Sequence, residues 1–289
     1  MIVVVNYANK PYKKAQKYCT RSAYKYGADR VFEYSPENID VDFFEANKKV
    51  LTQRRGGGYW LWKPYIIYDA LKKINYGDYL LYVDSGSYFI SDLNAIIRCM
   101  EANENDIISF SLPFLEKQWT KMEVLEYMGC KNSSKVIDSC QRIATFIFMK
   151  KSDRTIEFME KYLYIAQQDT LITDQLDPRI QDDLFIENRH DQSIFSVLSK
   201  IENIPVYRDP SEYGKKPELL SNAYDKAIFL QEGTKCSDYP QILVLHRKKK
   251  VNVYVRMMSY LRSNSSYKLY KQLDSIQNIV RRIIKGDSL

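Results

Sequence analysis

Three local signals follow one another without a gap in residues 54–86. A glycine triplet at 56–58 allows backbone conformations and close approaches that side chains forbid. Apolar residues at helical spacing follow Pro64, which suits a first helical turn, so the sequence predicts a helix with one packed face. The apolar run 79–83 then predicts a strand buried on both faces of a parallel sheet, and Asp84 ends it. Ligands bind beyond the carboxyl ends of such strands, so this order predicts a binding site.

The size and composition of the chain favour an α/β protein with a large core. It has 289 residues, of which 45% are hydrophobic. No window reaches the roughly 20 apolar residues that cross a bilayer, and the apolar run 2–5 comes without a charged leader. We therefore expect an intracellular, cytoplasmic protein. Its five scattered cysteines lack metal-ligand spacing and are expected to be reduced and buried.

The formal net charge of +7 is concentrated at one end of the chain. Residues 247–289 hold eleven Lys or Arg against two acidic residues, a net charge of +9, which leaves −2 for residues 1–246. A core that binds nucleic acid is expected to carry a basic face of its own. The distribution of charge therefore predicts no nucleic-acid partner.

Apolar runs alternate with helical patterns over most of residues 1–150. This alternation predicts an α/β fold with a mainly parallel, mixed sheet flanked by helices. Further along, the patterns predict a helical stretch at 116–128 and a buried strand at 143–149. The Asp-rich segment 169–184 shows no periodicity and is expected to be a loop that covers the site as a lid.

Two apolar strands each end on one side chain that can bind a metal. Asp84 ends one of them, and His246 follows the apolar run 242–245. Mixed oxygen and nitrogen sites suit divalent cations, and a cation can neutralise a diphosphate leaving group. Each residue alone also has a simpler explanation, because a strand-end aspartate often stabilises a turn and Asp191 fits the cap of the helix predicted at 194–198.

Four short blocks occur together in this sequence. They are Gly-Gly-Gly-Tyr-Trp-Leu-Trp-Lys-Pro at 56–64, Tyr-Val-Asp-Ser-Gly at 82–86, Trp-Thr-Lys at 119–121 and Arg-His-Asp-Gln-Ser at 189–193. The combination resembles bacterial glycosyltransferases encoded with capsule and O-antigen genes, which are similar to glycosyltransferase family 8. The resemblance covers about residues 1–250.

The resemblance implies a GT-A fold and the transfer of a sugar from a nucleotide sugar, most often a UDP-sugar, to a glycan acceptor with retention of configuration. The implied catalytic domain spans residues 1–250 and has two halves. A nucleotide-sugar half covers about residues 1–110, and an acceptor half covers about 111–250. Beyond the resemblance, the sequence predicts a basic amphipathic helical tail at residues 251–289. The implied role is the biosynthesis of a surface polysaccharide.

The resemblance also implies which residues bind the donor. The Asp-Gln pair beside the donor sugar matches Asp191 and Gln192, the predicted catalytic residues. Asn6 and Tyr7 occupy the place of the nucleoside, and Lys63 matches a basic donor contact. The full predicted donor-binding set is Asn6, Tyr7, Arg54, Arg55, Lys63, Asp84, Ser85, His190, His246 and Lys249, with Lys250 as the alternative to Lys249.

The metal-binding Asp-x-Asp of the family matches Asp84-Ser85-Gly86, and its strand-end histidine matches His246. Asp84 and His246 are therefore the expected ligands of Mn²⁺ or Mg²⁺. Gly86 departs from the pattern because it stands where the second aspartate is expected. Either the metal is held through these two side chains, phosphate oxygens and water, or the basic side chains Arg54, Arg55 and Lys63 neutralise the diphosphate instead.

Three classes of function remain open. The leading one is retaining glycosyl transfer, with a variant in which Asp191 is the general base of an inverting enzyme. A sugar nucleotidyltransferase also uses an α/β sheet and a strand-end aspartate. A non-catalytic sugar-binding or scaffold protein would account for the 24 tyrosines, but it needs neither Asp84 nor His246.

The tail combines an apolar stripe with positive charge. The stripe consists of Leu269, Leu273, Ile276, Val280 and Ile283. Such a helix can lie on an anionic membrane, which suits a lipid-linked glycan acceptor and a peripheral position on the inner face of the cell membrane. The same stripe can equally pack on the catalytic domain or pair two chains.

Overall fold

The computed structural model describes residues 1–220, 224, 226–266, 268, 269 and 272. Two sheets are present in this part of the chain. The strands are β1 (Ile2–Tyr7), β2 (Arg30–Tyr34), β3 (Tyr79–Val83), β4 (Ser87–Phe89), β5 (Ile107–Leu115), β6 (Cys140–Arg142), β7 (Phe146–Lys150), β8 (Val206–Tyr207) and β9 (Leu243–Leu245).

The larger sheet has seven strands in the order β2-β1-β3-β7-β5-β6, and β8 also pairs with β5. Strands β1, β2, β3, β5 and β8 run in one direction, whereas β7 and β6 are antiparallel to their neighbours. Strands β4 and β9 form a separate antiparallel pair. The predicted α/β fold with a mainly parallel, mixed sheet flanked by helices is confirmed.

Helices and helical turns cover both faces of the larger sheet. They are α1 (Lys13–Lys25), α2 (Val41–Ala46), α3 (Lys48–Leu51), α4 (Gly56–Tyr59), α5 (Trp62–Lys72), α6 (Asn94–Ala102), α7 (Met122–Tyr127), α8 (Ser134–Ile137), α9 (Asp153–Ala166), α10 (Asp169–Ile172), α11 (Asp191–Ile201), α12 (Glu212–Lys215) and α13 (Val253–Asn264). One core cluster includes buried residues of α3, α5, α8, α9 and α11, and the other includes those of α1 and α6. The sheet therefore lies between two helical layers.

The sequence explains the main elements directly. All five residues of β3 are buried, as expected for an apolar strand covered by helices on both faces. Ala15, Cys19 and Ala23 recur every four residues and form the buried side of α1. A capping box starts α9, because Ser152 accepts a hydrogen bond from the Thr155 amide and Thr155 reciprocates.

Some predicted elements differ in extent. The stretch at 116–128 is a 3₁₀ turn (Glu116–Gln118) followed by α7, because buried Trp119 and extended Lys121 interrupt it. The strand predicted at 143–149 starts at Phe146, and residues 143–145 connect it to β6. Segment 169–184 begins with α10 and is irregular thereafter. Its role as a lid stays a prediction.

Beyond α13, the described residues 268, 269 and 272 are also helical. Most of the predicted apolar stripe lies outside the described part of the chain; Leu269 belongs to it and is exposed. Among the described residues, no helix has both the length and the apolar character that crossing a bilayer requires. The division into a nucleotide-sugar half and an acceptor half stays a prediction.

Candidate functional site

Two adjoining cavities lie at the sheet edge where β1 and β3 end. The larger one, about 530 Å³, is named the aromatic cavity and is lined by Tyr7, Trp60, Trp62, Asp84, Ser85, Arg247 and their neighbours. The smaller one, about 230 Å³, is named the polar cavity and is lined by Lys63, Asp84, Arg189, Asp191, Gln192, Arg247 and others. Trp60, Asp84, Thr145 and Arg247 line both cavities and so mark their junction.

A stacked aromatic pair forms one wall of the aromatic cavity. The rings of Tyr7 and Trp62 are 3.8 Å apart and inclined by 15°. The Trp62 indole N–H donates to the carbonyl of Gly56 at 2.9 Å, and the Ser85 hydroxyl donates to the carbonyl of Tyr7 at 2.6 Å. These bonds tie the ends of β1 and β3 and the glycine turn together, so the wall is held before any ligand binds.

Two glycines of the triplet, Gly56 and Gly58, are required by close packing. A Cβ on Gly56 would lie 2.3 Å from the Trp60 ring, and one on Gly58 would lie 2.7 Å from the Cα of Leu51. Both glycines have positive φ, and Trp60 itself has φ of 61°. A non-glycine residue in this conformation stores about 1–3 kcal/mol of strain, which the surrounding packing must offset. The triplet thus places Trp60 at the junction of the cavities.

A buried lysine between two carboxylates forms the floor of the polar cavity. The Lys63 ammonium lies 2.7 Å from Oδ2 of Asp191 and 3.8 Å from Oδ1 of Asp84, and it donates to the carbonyl of Ala144 at 3.1 Å. Lys63 comes from α5, Asp84 from the end of β3 and Asp191 from the first turn of α11. Three separate segments therefore bring alternating charges to one point.

Burial and charge act in opposite directions on this cluster. Burial raises the pKa of Asp191 to about 6, although Lys63 opposes the shift. For Lys63, burial alone would lower the pKa, but the charges of Asp191 and Asp84 outweigh it, so the pKa is raised. Lys63 thus stays protonated, whereas the carboxyl of Asp191 holds its proton more tightly than an exposed one.

The amide of Gln192 is oriented by a buried polar network. Its Nε2 donates to Oε1 of Gln141 at 2.8 Å, and its Oε1 accepts from the backbone N–H of Ala144 at 3.3 Å. Gln141 in turn donates to Oε1 of Glu116 at 3.2 Å, and Lys200 neutralises Glu116 at 2.6 Å. Gln192 therefore presents its amide to the polar cavity in a fixed direction.

His190 joins the glycine turn to the start of α11. Its Nδ1 donates to the carbonyl of Ile172 at 2.8 Å, and its Nε2 accepts from Arg55 Nε at 2.8 Å. The imidazole stacks on Trp60 at 5.5 Å, and burial lowers its pKa. With both ring nitrogens bonded, His190 holds Arg55 and Trp60 in position.

Two arginines at the site carried no predicted role. Arg247 follows β9, lines both cavities and has φ of 51°. The guanidinium of Arg189 lies 3.8 Å from the Trp119 ring centroid, its Nη1 donates to Gln141 at 3.3 Å, and burial lowers its pKa. Arg189 belongs to the Arg-His-Asp-Gln-Ser block, and Arg247 follows a predicted strand end. The sequence therefore indicates that both residues lie near the site, but it does not indicate where their side chains point.

The predicted donor contacts separate into two groups. Tyr7, Arg54 and Ser85 line the aromatic cavity, whereas Arg55, Lys63 and His190 line the polar one. Asn6 is fully buried, and its side chain bonds to Gln16 at 2.9 Å and Thr20 at 3.2 Å, so it supports α1 instead of lining a cavity. Lys249 and Lys250 are exposed beyond β9 and are not among the described residues that line the cavities.

His246 lies away from both cavities. Its ring packs 5.9 Å from that of Tyr88, and its Nδ1 accepts from the amide of Lys248 at 3.0 Å. Its Nε2 is buried without a partner among the described residues, and burial lowers its pKa to about 4. Leu245 and Arg247, on either side of it, line the aromatic cavity.

The donor set does not fit one metal ion bound by both Asp84 and His246. Only Asp84 of the two lines the cavities. A Cβ on Gly86 would lie 3.2 Å from the Cα of Arg247, so a side chain at the position of the missing second aspartate requires the Arg247 backbone to shift slightly. No cluster of three or more potential His, Cys, Asp or Glu ligands occurs in the described part of the chain.

Comparisons with known proteins find distant structural likenesses. Glycosyltransferase GlyE of Streptococcus pneumoniae TIGR4 has a TM-score of 0.43 and 12% identity over 96% of this chain, which spans 64% of GlyE. A glycosyltransferase involved in glycosylation of the major capsid of PBCV-1 has a TM-score of 0.32 and 14% identity over 64% of this chain and 79% of its own. Galactosyltransferase LgtC, solved with donor and acceptor sugar analogues, has a TM-score of 0.41 and 12% identity over 84% of this chain and 86% of its own.

No protein-family model matches the sequence, and no curated protein matches it. The chain spans less than two thirds of the length of GlyE. Its function therefore has to be inferred from the two cavities themselves.

Proposed function

We propose that the protein transfers a sugar from a nucleotide-sugar donor to a glycan acceptor. The observation that carries the proposal is the junction of the two cavities at Trp60, Asp84, Thr145 and Arg247. An aromatic cavity of about 530 Å³ suits a nucleoside, and an adjoining polar cavity of about 230 Å³ suits a sugar. The diphosphate that links nucleoside and sugar would then cross the junction.

Basic side chains meet the diphosphate in this arrangement. Arg247 lines both cavities, and the Lys63 ammonium lies 3.8 Å from Asp84 below the junction. Positive groups stabilise the charge that develops on a departing diphosphate, most strongly where they are held away from water, as the buried Lys63 is. We assign this role to Arg247 and Lys63, with Arg54 at the wall of the aromatic cavity. A requirement for Mn²⁺ or Mg²⁺ stays a prediction, which a chelator tests in the same assay.

The residues of the polar cavity support retaining transfer as the leading mechanism. The fixed amide of Gln192 would lie beside the anomeric carbon, and Asp191, paired with Lys63, would bind hydroxyls of the donor sugar. The acceptor hydroxyl would then attack from the face that the diphosphate leaves.

The raised pKa of Asp191 favours an inverting mechanism as the alternative to retaining transfer. A carboxylate with a pKa of about 6 that lines the polar cavity can accept a proton from an acceptor hydroxyl at neutral pH. Asp191 would then be the general base of an inverting enzyme. Proton NMR of the anomeric centre of the product separates the two mechanisms, because retention and inversion give opposite anomers.

The first experiment measures thermal shifts with a panel of nucleotides and nucleotide sugars, since a ligand at 100 times its Kd stabilises the fold by about 2.7 kcal/mol. We expect a UDP-sugar to raise the melting temperature. Trp62→Ala should reduce that shift, whereas Tyr68→Ala on the same helix should preserve it. The absence of a shift with every nucleotide sugar would overturn the proposal.

Transfer is then measured with the binding donor and a panel of glycan acceptors, lipid-linked ones included. Formation of a longer glycan supports the proposal. Release of pyrophosphate from UTP and a sugar 1-phosphate would instead identify a sugar nucleotidyltransferase. Binding of the donor without transfer to any acceptor would identify a sugar-binding protein. A role in surface polysaccharide synthesis is proposed from the sequence resemblance and depends on which acceptor is used.

A further inference from the structure

The outer face of α1 is strongly basic. Lys14, Lys17, Arg21 and Lys25 follow one another at spacings of three and four residues and are all exposed. No acidic residue occurs between Lys13 and Lys25. Spacings of three and four put the four side chains on one side of the helix. The net charge of −2 for residues 1–246 conceals this local excess, because acidic residues elsewhere balance it.

A third cavity, of about 600 Å³, opens beside this stripe, between α1, β4 and α13. Its charged lining residues are Arg21, Lys25 and Arg256, and no carboxylate is among the described residues that line it. Tyr18, Tyr88 and Tyr260 supply aromatic walls. The cavity thus combines three cations with apolar surface, which suits an anionic group attached to an apolar body.

Large apolar side chains of α13 project from the rim of the cavity. Val253 is 80% exposed, Met257 51% and Tyr260 67%, and all three also line the cavity. They lie four and three residues apart and therefore on one side of the helix. Exposure of apolar side chains to water is unfavourable, so a cluster of exposed apolar side chains indicates an interaction surface.

We propose that this surface, named the basic face and formed by the α1 stripe, the third cavity and the exposed side of α13, binds an anionic phospholipid bilayer. The lysines and arginines would attract the lipid phosphates, and the third cavity would receive one headgroup. Val253, Met257 and Tyr260 would enter the interfacial region of the bilayer. A nucleic acid would use the same charges but would leave the aliphatic side chains Val253 and Met257 in water, so the apolar rim favours the bilayer.

The basic face includes α13, at the start of the predicted tail, but not the predicted apolar stripe that begins at Leu269 and not the two cavities of the candidate site. Strands β4 and β9 connect the regions, because β4 lines the third cavity while Gly86 and Arg247, which flank these strands, line the aromatic cavity. Binding at the basic face would therefore hold the candidate site close to a bilayer. The inference stands without the proposed activity, and its test requires no donor sugar.

The test is sedimentation of the full chain with vesicles. Vesicles of phosphatidylcholine are compared with vesicles of phosphatidylcholine and phosphatidylglycerol, at low and at high salt. We expect binding to the mixed vesicles alone, weakened by salt. The variant Arg21→Ala/Lys25→Ala/Arg256→Ala should bind about 100-fold more weakly, since each basic residue at an anionic surface accounts for about fivefold.

Two further variants make the test specific. Lys48→Ala/Lys72→Ala/Lys135→Ala removes the same charge from α3, α5 and α8, in the other helical layer, and should bind like the wild type. Val253→Ser/Met257→Ser keeps every charge and should also weaken binding. All the substituted residues are exposed, and circular dichroism checks that each variant is folded.

Three results would overturn the inference. One is wild-type protein that fails to sediment with the mixed vesicles. Another is equal binding by the wild type and the Arg21, Lys25 and Arg256 variant, which would assign any membrane binding to another part of the chain. The third is binding of a single-stranded oligonucleotide as tight as that of the vesicles, with no effect of the Val253 and Met257 substitutions.

Discussion

Asp84 and His246 look equivalent in the sequence, yet the fold treats them differently. Each follows a short apolar strand. Asp84 lines both cavities and lies 3.8 Å from the ammonium of Lys63. His246 packs against Tyr88, away from the cavities, with its Nε2 unpartnered among the described residues. Position at the end of a strand is therefore not enough to place a side chain in a site.

The direction of a strand-end side chain depends on pairing. Residues of a strand alternate between its two sides. Pairing of β9 with β4 sets Leu245 opposite Ser87, and the amides of His246 and Arg247 both donate to the carbonyl of Gly86. Leu245 and Arg247 consequently face the aromatic cavity, and His246 faces the other way. Among the residues that follow β9, Arg247 is therefore a better candidate for a donor contact than His246.

The sharpest test of the comparison replaces the two residues in the same way. Asp84→Asn should lower kcat by about 10²–10³, because the neutral amide no longer pairs with the Lys63 ammonium, which lies 3.8 Å from the Asp84 carboxylate and is assigned to the diphosphate. His246→Asn should leave kcat within a few fold of the wild type, because the Asn carbonyl can replace Nδ1 as acceptor for the Lys248 amide. The measurement is initial rates with the donor that passes the binding screen. Equal losses in both variants would contradict the comparison.

Arg247 and Lys249 provide the same comparison for basic side chains, because Arg247 lines both cavities and Lys249 does not. Arg247→Ala should reduce kcat/KM by about 10², because the diphosphate loses a cation at the junction of the cavities. Lys249→Ala should retain wild-type kinetics, since Lys249 is not among the described residues that line the two cavities. Arg247→Lys serves as the control that restores part of the charge. A large loss for Lys249→Ala with none for Arg247→Ala would reverse the assignment.

Much of the fold follows from sequence patterns, because the central strands are uninterrupted apolar runs. β1, β3 and β7 are of this kind, and their helices have regular apolar spacing. β6 and β8 have three and two residues, too few for any periodicity. Their pairing is set by the larger strand β5, so sequence patterns alone do not predict them.

The candidate site shows the same limit. Lys63, Asp191 and Gln192 were expected near the donor, and the fold brings Lys63 within 2.7 Å of Asp191. Asn6 and Tyr7 are neighbours in β1, yet only Tyr7 reaches the cavity, because adjacent residues of a strand point to opposite sides. Choosing between two neighbouring residues requires knowledge of what packs on each side, and one sequence does not contain it.

Gly86 sharpens the comparison because it faces Arg247. A Cβ at this position would lie 3.2 Å from the Arg247 Cα, so Gly86→Asp should destabilise the fold by about 1–3 kcal/mol through overpacking. Gly86→Ala, with the same Cβ and no charge, should account for most of that loss. Urea denaturation measures both variants. Restoring the Asp-x-Asp pattern should not add to any response of the wild type to Mn²⁺, and a much stronger stimulation of Gly86→Asp than of the wild type by Mn²⁺ would contradict this account of the site.

The last prediction concerns the stability that the folded protein loses at acid pH because His246 is buried. Burial and the nearby Lys248 lower its pKa to about 4, below the ordinary value of 6.5 that it regains on unfolding. The unfolded chain therefore binds this proton first, and the folded state loses stability as the pH falls from about 6.5 towards 4. Between pH 7 and 5 the loss is about 2 kcal/mol, from a shift of about 1.4 kcal/mol per pH unit.

The His246→Asn variant has no imidazole that can take up a proton on unfolding. When the pH is lowered from 7 to 5, its free energy of unfolding should therefore rise by about 2 kcal/mol relative to that of the wild type. Asp191 acts in the opposite sense, because its pKa of about 6 lies above the ordinary value of 3.8, so its protonation favours the folded state in the same pH range. That contribution is present in both proteins and cancels in their difference. Urea denaturation of both proteins at pH 7 and pH 5 measures the difference, and an unchanged gap would mean that the imidazole of His246 takes up its proton in the folded protein as readily as in water.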